Sequence, residues 1–117
     1  MSLFIFLFIV YTFLIQTFSN EPEARVRSAL CDVMLQVYCL SHYSWDELYP
    51  FIISVCQSGS EAATEGIYLL GEFCIEAEEV VSENLANIVG VISTHLSSDN
   101  YVLRVEACLV RNWLISS

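Results

Sequence analysis

The sequence predicts an all-α protein built from stacked pairs of helices, and three observations support that prediction. Beyond Asn20, apolar residues recur at spacings of three and four in almost every segment, which is the period of an amphipathic helix. No segment shows clearly the period-two alternation of a half-buried strand. Similar short segments also return at intervals of about 40 residues, a spacing typical of helix-pair repeats. The expected architecture is therefore an α-solenoid.

The first predicted element is an apolar helix within residues 1–20, which we separate from a repeat segment at 21–117. The opening "MSLFIFLFIVYTFLIQTF" carries no charged side chain. The 17 uncharged residues at 2–18 reach the lower limit of a membrane span, so one interpretation is a signal anchor formed by this segment. The segment lacks the basic flank and small-residue cleavage site of a signal peptide. The other interpretation is that the apolar segment forms a helix that packs on the helix beginning at Ala24. In this interpretation the first half of the apolar helix is not solenoid sequence.

Five amphipathic helices are predicted after the apolar segment. Ser44 and Glu47 have the spacing of a capping box at the start of the second, and Ser58 and Glu61 repeat that spacing before the third. Pro50 falls early in the second helix, where its missing N–H costs least. The predicted helices cover residues 24–40, 44–56, 61–79, 85–96 and 101–114.

The helices repeat as pairs, a shorter helix followed by a longer one, at 44–79 and 84–114. The segments "ARVRSAL" at 24–30, "TEGIYLL" at 64–70 and "LRVEACL" at 103–109 occupy corresponding positions. Leu48 and Leu85 open equivalent first helices. A period of about 40 residues predicts HEAT repeats, here about two and a half helix pairs. A generic helical bundle is the alternative.

The charge balance restricts the function. There are 14 acidic residues against four basic ones, and the net charge is −10. No Lys or Arg occurs between Ser28 and Leu103. This composition argues against nucleic-acid binding, which depends on Lys and Arg at the phosphates. It permits a cationic partner such as a basic peptide, although the acids could equally serve only to keep an apolar chain dissolved.

The five cysteines indicate a reducing compartment. Their number is odd and they are spread along the chain. A secreted disulfide framework more often shows an even number. We therefore expect free thiols that behave as small buried hydrophobes.

Several residues resemble the karyopherin-β (importin-β) family, with the importin beta-3 type of nuclear import receptor as the most similar group. The resemblance covers roughly residues 14–110 and rests on "RVRSALCDVMLQV", "SWDELYPFIISVCQSGS", "EAATEGIYLLGEF" and "LANIVGVISTHLSSDNYVLRVEACL". Its motif residues are Cys31, Asp32, Trp45, Pro50 and Phe51. The family usually has Pro after this tryptophan, where this chain has Asp46.

The resemblance implies a fragment from the N-terminal part of a nuclear import receptor in the cytoplasm and nucleus. The implied partners are cargo proteins with basic nuclear-localisation signals, together with Ran GTPase and Phe-Gly nucleoporins. The first repeat, which carries much of the family's Ran-binding surface, is replaced here by the apolar opening. Ran capture by this chain alone is therefore not expected. Trp45, at a helix start, is expected to pack between repeats rather than to bind a partner.

The candidate binding site is an acidic face on the helix predicted at 61–79. Helical spacing puts Glu65, Glu72, Glu76 and Glu79 on one side, with no basic residue four positions away. In the family, the second helix of each repeat lines the concave surface that holds cargo. The resemblance thus implies that these carboxylates bind Lys/Arg-rich signals. A merely solvated face is the alternative.

No catalytic, cofactor or metal site is predicted. The two histidines fall in different repeats, and no nucleophile or phosphate-binding motif is present. Cys39 and His42 have metal-like spacing but lack a second ligand pair. Two further functions stay open: a membrane-anchored helical protein that uses residues 2–18, and an unrelated helical scaffold.

Overall fold

The computed structural model describes residues 2–116 and confirms the all-α fold class. Residues 2–116 contain six helices and no strand. The helices are α1 (Leu3–Ser19), α2 (Ala24–Leu40), α3 (Leu48–Cys56), α4 (Ala63–Glu76), α5 (Glu78–His95) and α6 (Tyr101–Ser116).

The six helices form three pairs stacked in chain order. Helix α1 packs on α2, α3 on α4, and α5 on α6. Between pairs, α2 contacts α4, α4 contacts α6, and α3 contacts α5. One layer therefore holds α2, α4 and α6, the other α3 and α5, and the principal dimensions are 47 × 32 × 17 Å. The three similar segments at 24–30, 64–70 and 103–109 all lie in the first turns of α2, α4 and α6.

The core runs through the interfaces between the pairs. Its large side chains with less than 2% exposure include Trp45, Phe73, Met34, Leu48 and Ile52. Burial of these apolar surfaces is the main stabilising contribution to such a stack.

Three of the five thiols belong to this core, which confirms the expected burial for those three but not for the other two. Cys31, Cys56 and Cys74 are buried, whereas Cys39 and Cys108 are half-buried, and all five are free. Burial raises the pKa of the Cys31 and Cys56 thiols to about 12 and that of Cys74 to about 11. These three side chains are therefore neutral and act as small apolar groups.

The prediction of one long helix at 61–79 is wrong at its C-terminal end. Helix α4 ends at Glu76, and Ala77 (φ −111°, ψ 58°) turns the chain into α5. Helix α5 itself bends at Asn84 (φ −124°, ψ 18°), whose side-chain amide donates to the Val80 carbonyl oxygen at 2.8 Å. The predicted helix from Leu85 corresponds to the part of α5 after that bend.

The two predicted capping boxes do not form. Helices α3 and α4 have no side-chain hydrogen bond at their N-caps, Glu47 and Ala62. The Ser44 hydroxyl donates instead to the Ser41 carbonyl at 2.7 Å, and the Ser58 hydroxyl donates to the Val55 carbonyl at 2.7 Å. Each serine therefore bonds a carbonyl upstream of it rather than the helix that follows.

The second half of α1 packs on the helices that follow, as one interpretation of the apolar segment predicted. Tyr11, Leu14 and Phe18 are buried. The Tyr11 ring stacks on Trp45 with centroids 4.5 Å apart, and the Phe18 ring meets Phe51 edge-on at 5.7 Å. The first half exposes its apolar residues. None of the helices between residues 2 and 116 combines the length and hydropathy needed to cross a bilayer.

Candidate acidic binding surface

Glu65 does not belong to an exposed acidic face, so this part of the prediction is wrong. Its side chain is buried and accepts a hydrogen bond from Nε of Arg27 on α2. Nη1 of Arg27 also donates to the carbonyl oxygens of Glu21 (3.1 Å) and Pro22 (3.0 Å). The cation that neutralises Glu65 comes from 38 residues upstream, which a search of neighbouring helical turns cannot detect. Arg27 and Glu65 together join the α1–α2 turn to α4.

The other three predicted glutamates separate into two places. Glu72 is half-exposed in the middle of α4. Glu76 is exposed at the end of α4, and Glu79 is exposed in the first turn of α5. The helix break at Ala77 therefore separates Glu79 from the helix on which it was predicted. It nevertheless keeps Glu79 beside Glu76, in one pocket.

A cavity of about 260 Å³ lies at this helix break, and we call it the junction pocket. Its lining residues are Tyr38, Tyr43, Glu76, Ala77, Glu78, Glu79 and Val80. The Tyr38 and Tyr43 rings meet edge-to-face, 5.3 Å apart. The Cys39 thiol donates to the Glu76 carboxylate at 3.7 Å. Three carboxylates thus share a small cavity with two aromatic rings.

The backbone that places Tyr43 in the junction pocket is strained. His42 (φ 58°) and Tyr43 (φ 62°) both adopt left-handed conformations. Such conformations cost about 1–2 kcal/mol for residues other than glycine. The turn is closed by a hydrogen bond from the Tyr43 N–H to the Tyr38 carbonyl at 2.9 Å. Strain of this kind concentrates at functional sites, which makes the pocket a candidate binding site.

A second acidic cavity, also of about 260 Å³, crosses α2, α4 and α6, and we call it the acidic groove. Asp32, Tyr68 and Glu106 line it, and the Tyr68 hydroxyl donates to Asp32 at 3.1 Å. Burial, the bond to Asp32 and the nearby carboxylates raise the pKa of Tyr68 to about 12. Burial and the charge of Glu72 raise the pKa of the Glu106 carboxyl above its usual value. Negative charge is therefore concentrated along the groove.

Apart from Glu65, which also lines the acidic groove and pairs with Arg27, the carboxylates of the two cavities have no basic partner within residues 2–116. In residues 2–116 the only ion pair joins Arg27 to Glu65. The groove and the junction pocket consequently carry a negative potential, which attracts cations. Carboxylates form charge-assisted hydrogen bonds with ammonium and guanidinium groups, and tyrosine faces attract the same cations. The arrangement is suited to basic side chains.

The motif residues of the resemblance have different structural roles. Trp45 is buried and stacks on Tyr11 of α1, so it packs in the core. Cys31 is buried and its thiol donates to the Glu65 carbonyl oxygen at 3.7 Å. Phe51 is half-buried and Pro50 is exposed on α3. Asp32 alone reaches an acidic cavity.

The sequence prediction missed several residues of the two cavities. Glu78 was detectable, because it adjoins Glu79. Tyr68 lies four residues before Glu72, so helical spacing could also have identified it. Nothing in the local pattern shows that the turn after α2 brings two tyrosines to the junction. The missed lining residues are Tyr38, Tyr43, Glu78, Tyr68 and Glu106.

Within the described part of the chain, no group of three or more His, Cys, Asp or Glu side chains is placed to hold a metal ion. Comparison of the chain with protein-family models, with curated proteins and with solved structures gives no match.

Proposed function

We propose that this chain is a segment of a HEAT-repeat α-solenoid of the karyopherin-β type, which binds Lys/Arg-rich protein segments in nucleocytoplasmic transport. The observation that carries the proposal is the group of carboxylates without basic partners around the junction pocket and the acidic groove. The cargo class is a protein with a basic nuclear-localisation signal, and the compartments are the cytoplasm and the nucleus. The role is binding rather than catalysis.

The stacking of the helices supports a solenoid. Each helix pair contacts the next pair in chain order, and the three similar segments begin α2, α4 and α6, which pack consecutively. Stacked units that each contact only their neighbours are typical of α-solenoids. The family resemblance adds nuclear transport to this fold, with Ran GTPase and Phe-Gly nucleoporins as partners of the parent family.

The two cavities explain how a basic segment binds. A lysine or arginine side chain enters the junction pocket along the Tyr38 and Tyr43 rings, and its charged end reaches Glu76 and Glu79. Further basic residues of the same segment contact the carboxylates of the acidic groove. Each contact is weak in water, so affinity comes from their number and from the negative field of the surface.

The test is binding of a synthetic Lys/Arg-rich peptide to the whole chain, followed by fluorescence anisotropy. We compare the wild type with the double variant Glu76→Gln/Glu79→Gln. The matched control, Glu23→Gln/Glu61→Gln, removes the same charge from exposed positions outside both cavities. The expected result is Kd at least tenfold higher for the pocket variant and less than threefold higher for the control. The affinity of the wild type falls as salt rises, because screening weakens exposed charge pairs.

Two outcomes contradict the proposal. Equal weakening in both double variants means that only net charge attracts the peptide. If the peptide does not bind even at low ionic strength, the two cavities do not form a binding surface for basic segments.

A further inference from the structure

The connection between α3 and α4 is exposed at the centre of the stack. Residues 57–61 are all exposed, and Gly59 (φ 70°) adopts a left-handed conformation between the two helices. The connection belongs to the middle helix pair, which contacts α2 on one side and α5 and α6 on the other. Both neighbouring pairs are present, so further units stacked at either end of the chain do not cover this loop.

Ser58 in this loop has the sequence context of a substrate for an acid-directed protein kinase. Glu61 lies three positions after it, in "QSGSE" at 57–61, and is exposed. Such kinases bind a carboxylate at this position with basic side chains of their own cleft. No Lys or Arg occurs between Ser28 and Leu103, and Gly59 follows Ser58 directly. The context therefore excludes kinases that require a basic residue shortly before the serine or a proline after it.

The Ser58 hydroxyl makes only local hydrogen bonds. It donates to the Val55 carbonyl at 2.7 Å, and it accepts from the hydroxyl of Ser60 at 2.8 Å and from the N–H of Ser60 at 3.3 Å. All three bonds lie within residues 55–60 and are exposed to solvent. Water replaces such bonds at little cost, so the hydroxyl is available for reaction.

A cavity of about 490 Å³ lies beside the loop, and we call it the loop cavity. Ser58 and Glu61 line it on one side, and Glu21 of the α1–α2 turn and Arg27 of α2 line it on the other. The cavity therefore connects the loop to the preceding helix pair and is large enough to hold a phosphoryl group.

Arg27 supplies a buried cation to the wall of the loop cavity. It is only 5% exposed. Its Nε donates to Glu65, and its Nη1 donates to the carbonyl oxygens of Glu21 and Pro22. Nη2 makes no hydrogen bond within residues 2–116, so one nitrogen of the guanidinium has no acceptor. A guanidinium group is well suited to bind phosphate oxygens.

From the loop and the cavity we infer that Ser58 is phosphorylated by an acid-directed protein kinase and that Arg27 holds the phosphoserine in the loop cavity. The Ser58 hydroxyl oxygen attacks the γ-phosphorus of magnesium ATP, the bond from that phosphorus to ADP breaks, and the hydroxyl proton passes to the catalytic base of the kinase. The phosphate then accepts a hydrogen bond from Nη2 of Arg27. Glu21 and Glu61 repel it, which favours the side of the cavity where Arg27 lies.

Ser44 has a similar acidic context, but its surroundings differ. Asp46 and Glu47 lie two and three positions after it. Trp45, directly after Ser44, is 1% exposed and belongs to the core. A kinase binds its substrate segment in an extended form, so phosphorylation of Ser44 requires Trp45 to leave the core. The loop at Ser58 contains no buried residue between 57 and 61 and needs no such unfolding.

The first test is phosphorylation of the whole folded chain by a purified acid-directed serine kinase with magnesium ATP, with the site mapped by peptide mass spectrometry. The expected product carries one phosphate, on Ser58. Glu61→Gln is expected to lower the rate about tenfold, because it removes the carboxylate that the kinase binds. The matched control, Glu23→Gln, removes the same charge from an exposed position outside the loop cavity and is expected to change the rate less than about twofold.

The second test is a pH titration of the phosphorylated chain followed by phosphorus NMR. An unperturbed phosphoserine has a second pKa of about 6. A hydrogen bond from Arg27 favours the dianion and lowers this pKa, whereas nearby carboxylates alone raise it. The expected pKa is therefore lower in the folded chain than in the chain unfolded by urea. Arg27→Met/Glu65→Met, which leaves no unpaired buried charge, is expected to lose that lowering, and the control Arg104→Met to keep it.

Three outcomes overturn the inference. A folded chain that stays unphosphorylated, or carries phosphate only on Ser44 or another serine, excludes Ser58 as the site. Equal rates for Glu61→Gln and Glu23→Gln mean that the kinase responds only to net charge. A phosphate pKa that is not lowered, or is lowered equally in the double variant, shows that Arg27 does not hold the phosphate. Ser58 lies outside the junction pocket and the acidic groove, so these results are independent of basic-peptide binding.

Discussion

The buried pair of Arg27 and Glu65 allows the most specific stability prediction. The side chains are only 6% and 9% exposed, and Arg27 also holds the carbonyl groups of Glu21 and Pro22. We expect Arg27→Met to destabilise the chain by about 3–5 kcal/mol, because it leaves the Glu65 carboxylate desolvated without a cation. Glu21 lines an open cavity of about 490 Å³ and Pro22 is exposed, so water can replace the two hydrogen bonds to their carbonyl groups and the loss of these bonds adds little.

The double variant Arg27→Met/Glu65→Met distinguishes the contribution of the whole ion pair from the cost of leaving one buried charge without its partner. Replacing both partners with apolar side chains of similar volume is expected to recover most of the loss, because no buried charge remains. Urea unfolding followed by circular dichroism measures the free energy of each variant. Arg104→Met is the control, since Arg104 donates to the Ser98 carbonyl at 2.9 Å but pairs with no buried carboxylate.

Two results would refute this reasoning. A cost below about 1 kcal/mol for Arg27→Met would mean that Glu65 is hydrated in solution. A double variant no more stable than the Arg27 single variant would mean that packing, not charge, makes Arg27 necessary.

Three further predictions use the same unfolding assay. Gly66→Ala is expected to cost about 1–3 kcal/mol, because an added Cβ meets a Val55 methyl at 2.8 Å, whereas Gly90→Ala in α5 meets no atom within 4 Å and is expected to stabilise by about 0.5–1 kcal/mol. Tyr11→Phe is expected to raise stability by on the order of 1 kcal/mol, because the Tyr11 hydroxyl is buried without a hydrogen-bond partner, and a loss of that size would indicate an internal water. The raised pKa of Glu106 means that the folded chain binds the proton more tightly than the unfolded chain, so this group lowers stability as pH rises above about 4.5. Glu106→Gln is therefore expected to stabilise by a few tenths of a kcal/mol at pH 7 and not at pH 4, and an equal effect at both pH values would exclude charge as the cause.

The local periodicity of apolar residues was sufficient to predict that the helices form, but not to predict where they begin and end. Apolar spacing predicted α2 and α6 closely, because each helix buries one continuous face. It missed the helix break at Ala77 because the glutamates continue the helical spacing across it. The serine-to-glutamate spacing before α3 and α4 also failed, since the hydroxyls found carbonyl acceptors upstream.

The sequence by itself determined the fold class of the chain and the sign of its net charge. Helical periodicity depends on neighbours three and four residues apart, and net charge depends on composition alone, so both are visible without a structure. Only the tertiary structure decided which carboxylates are available. Glu65 is neutralised by Arg27 from another helix, while Glu76 and Glu79 lie on either side of a helix break and share a pocket with two tyrosines. Such contacts arise from the packing of distant segments, and that packing divides one apparent acidic face into a buried ion pair, the half-exposed Glu72 and the junction pocket.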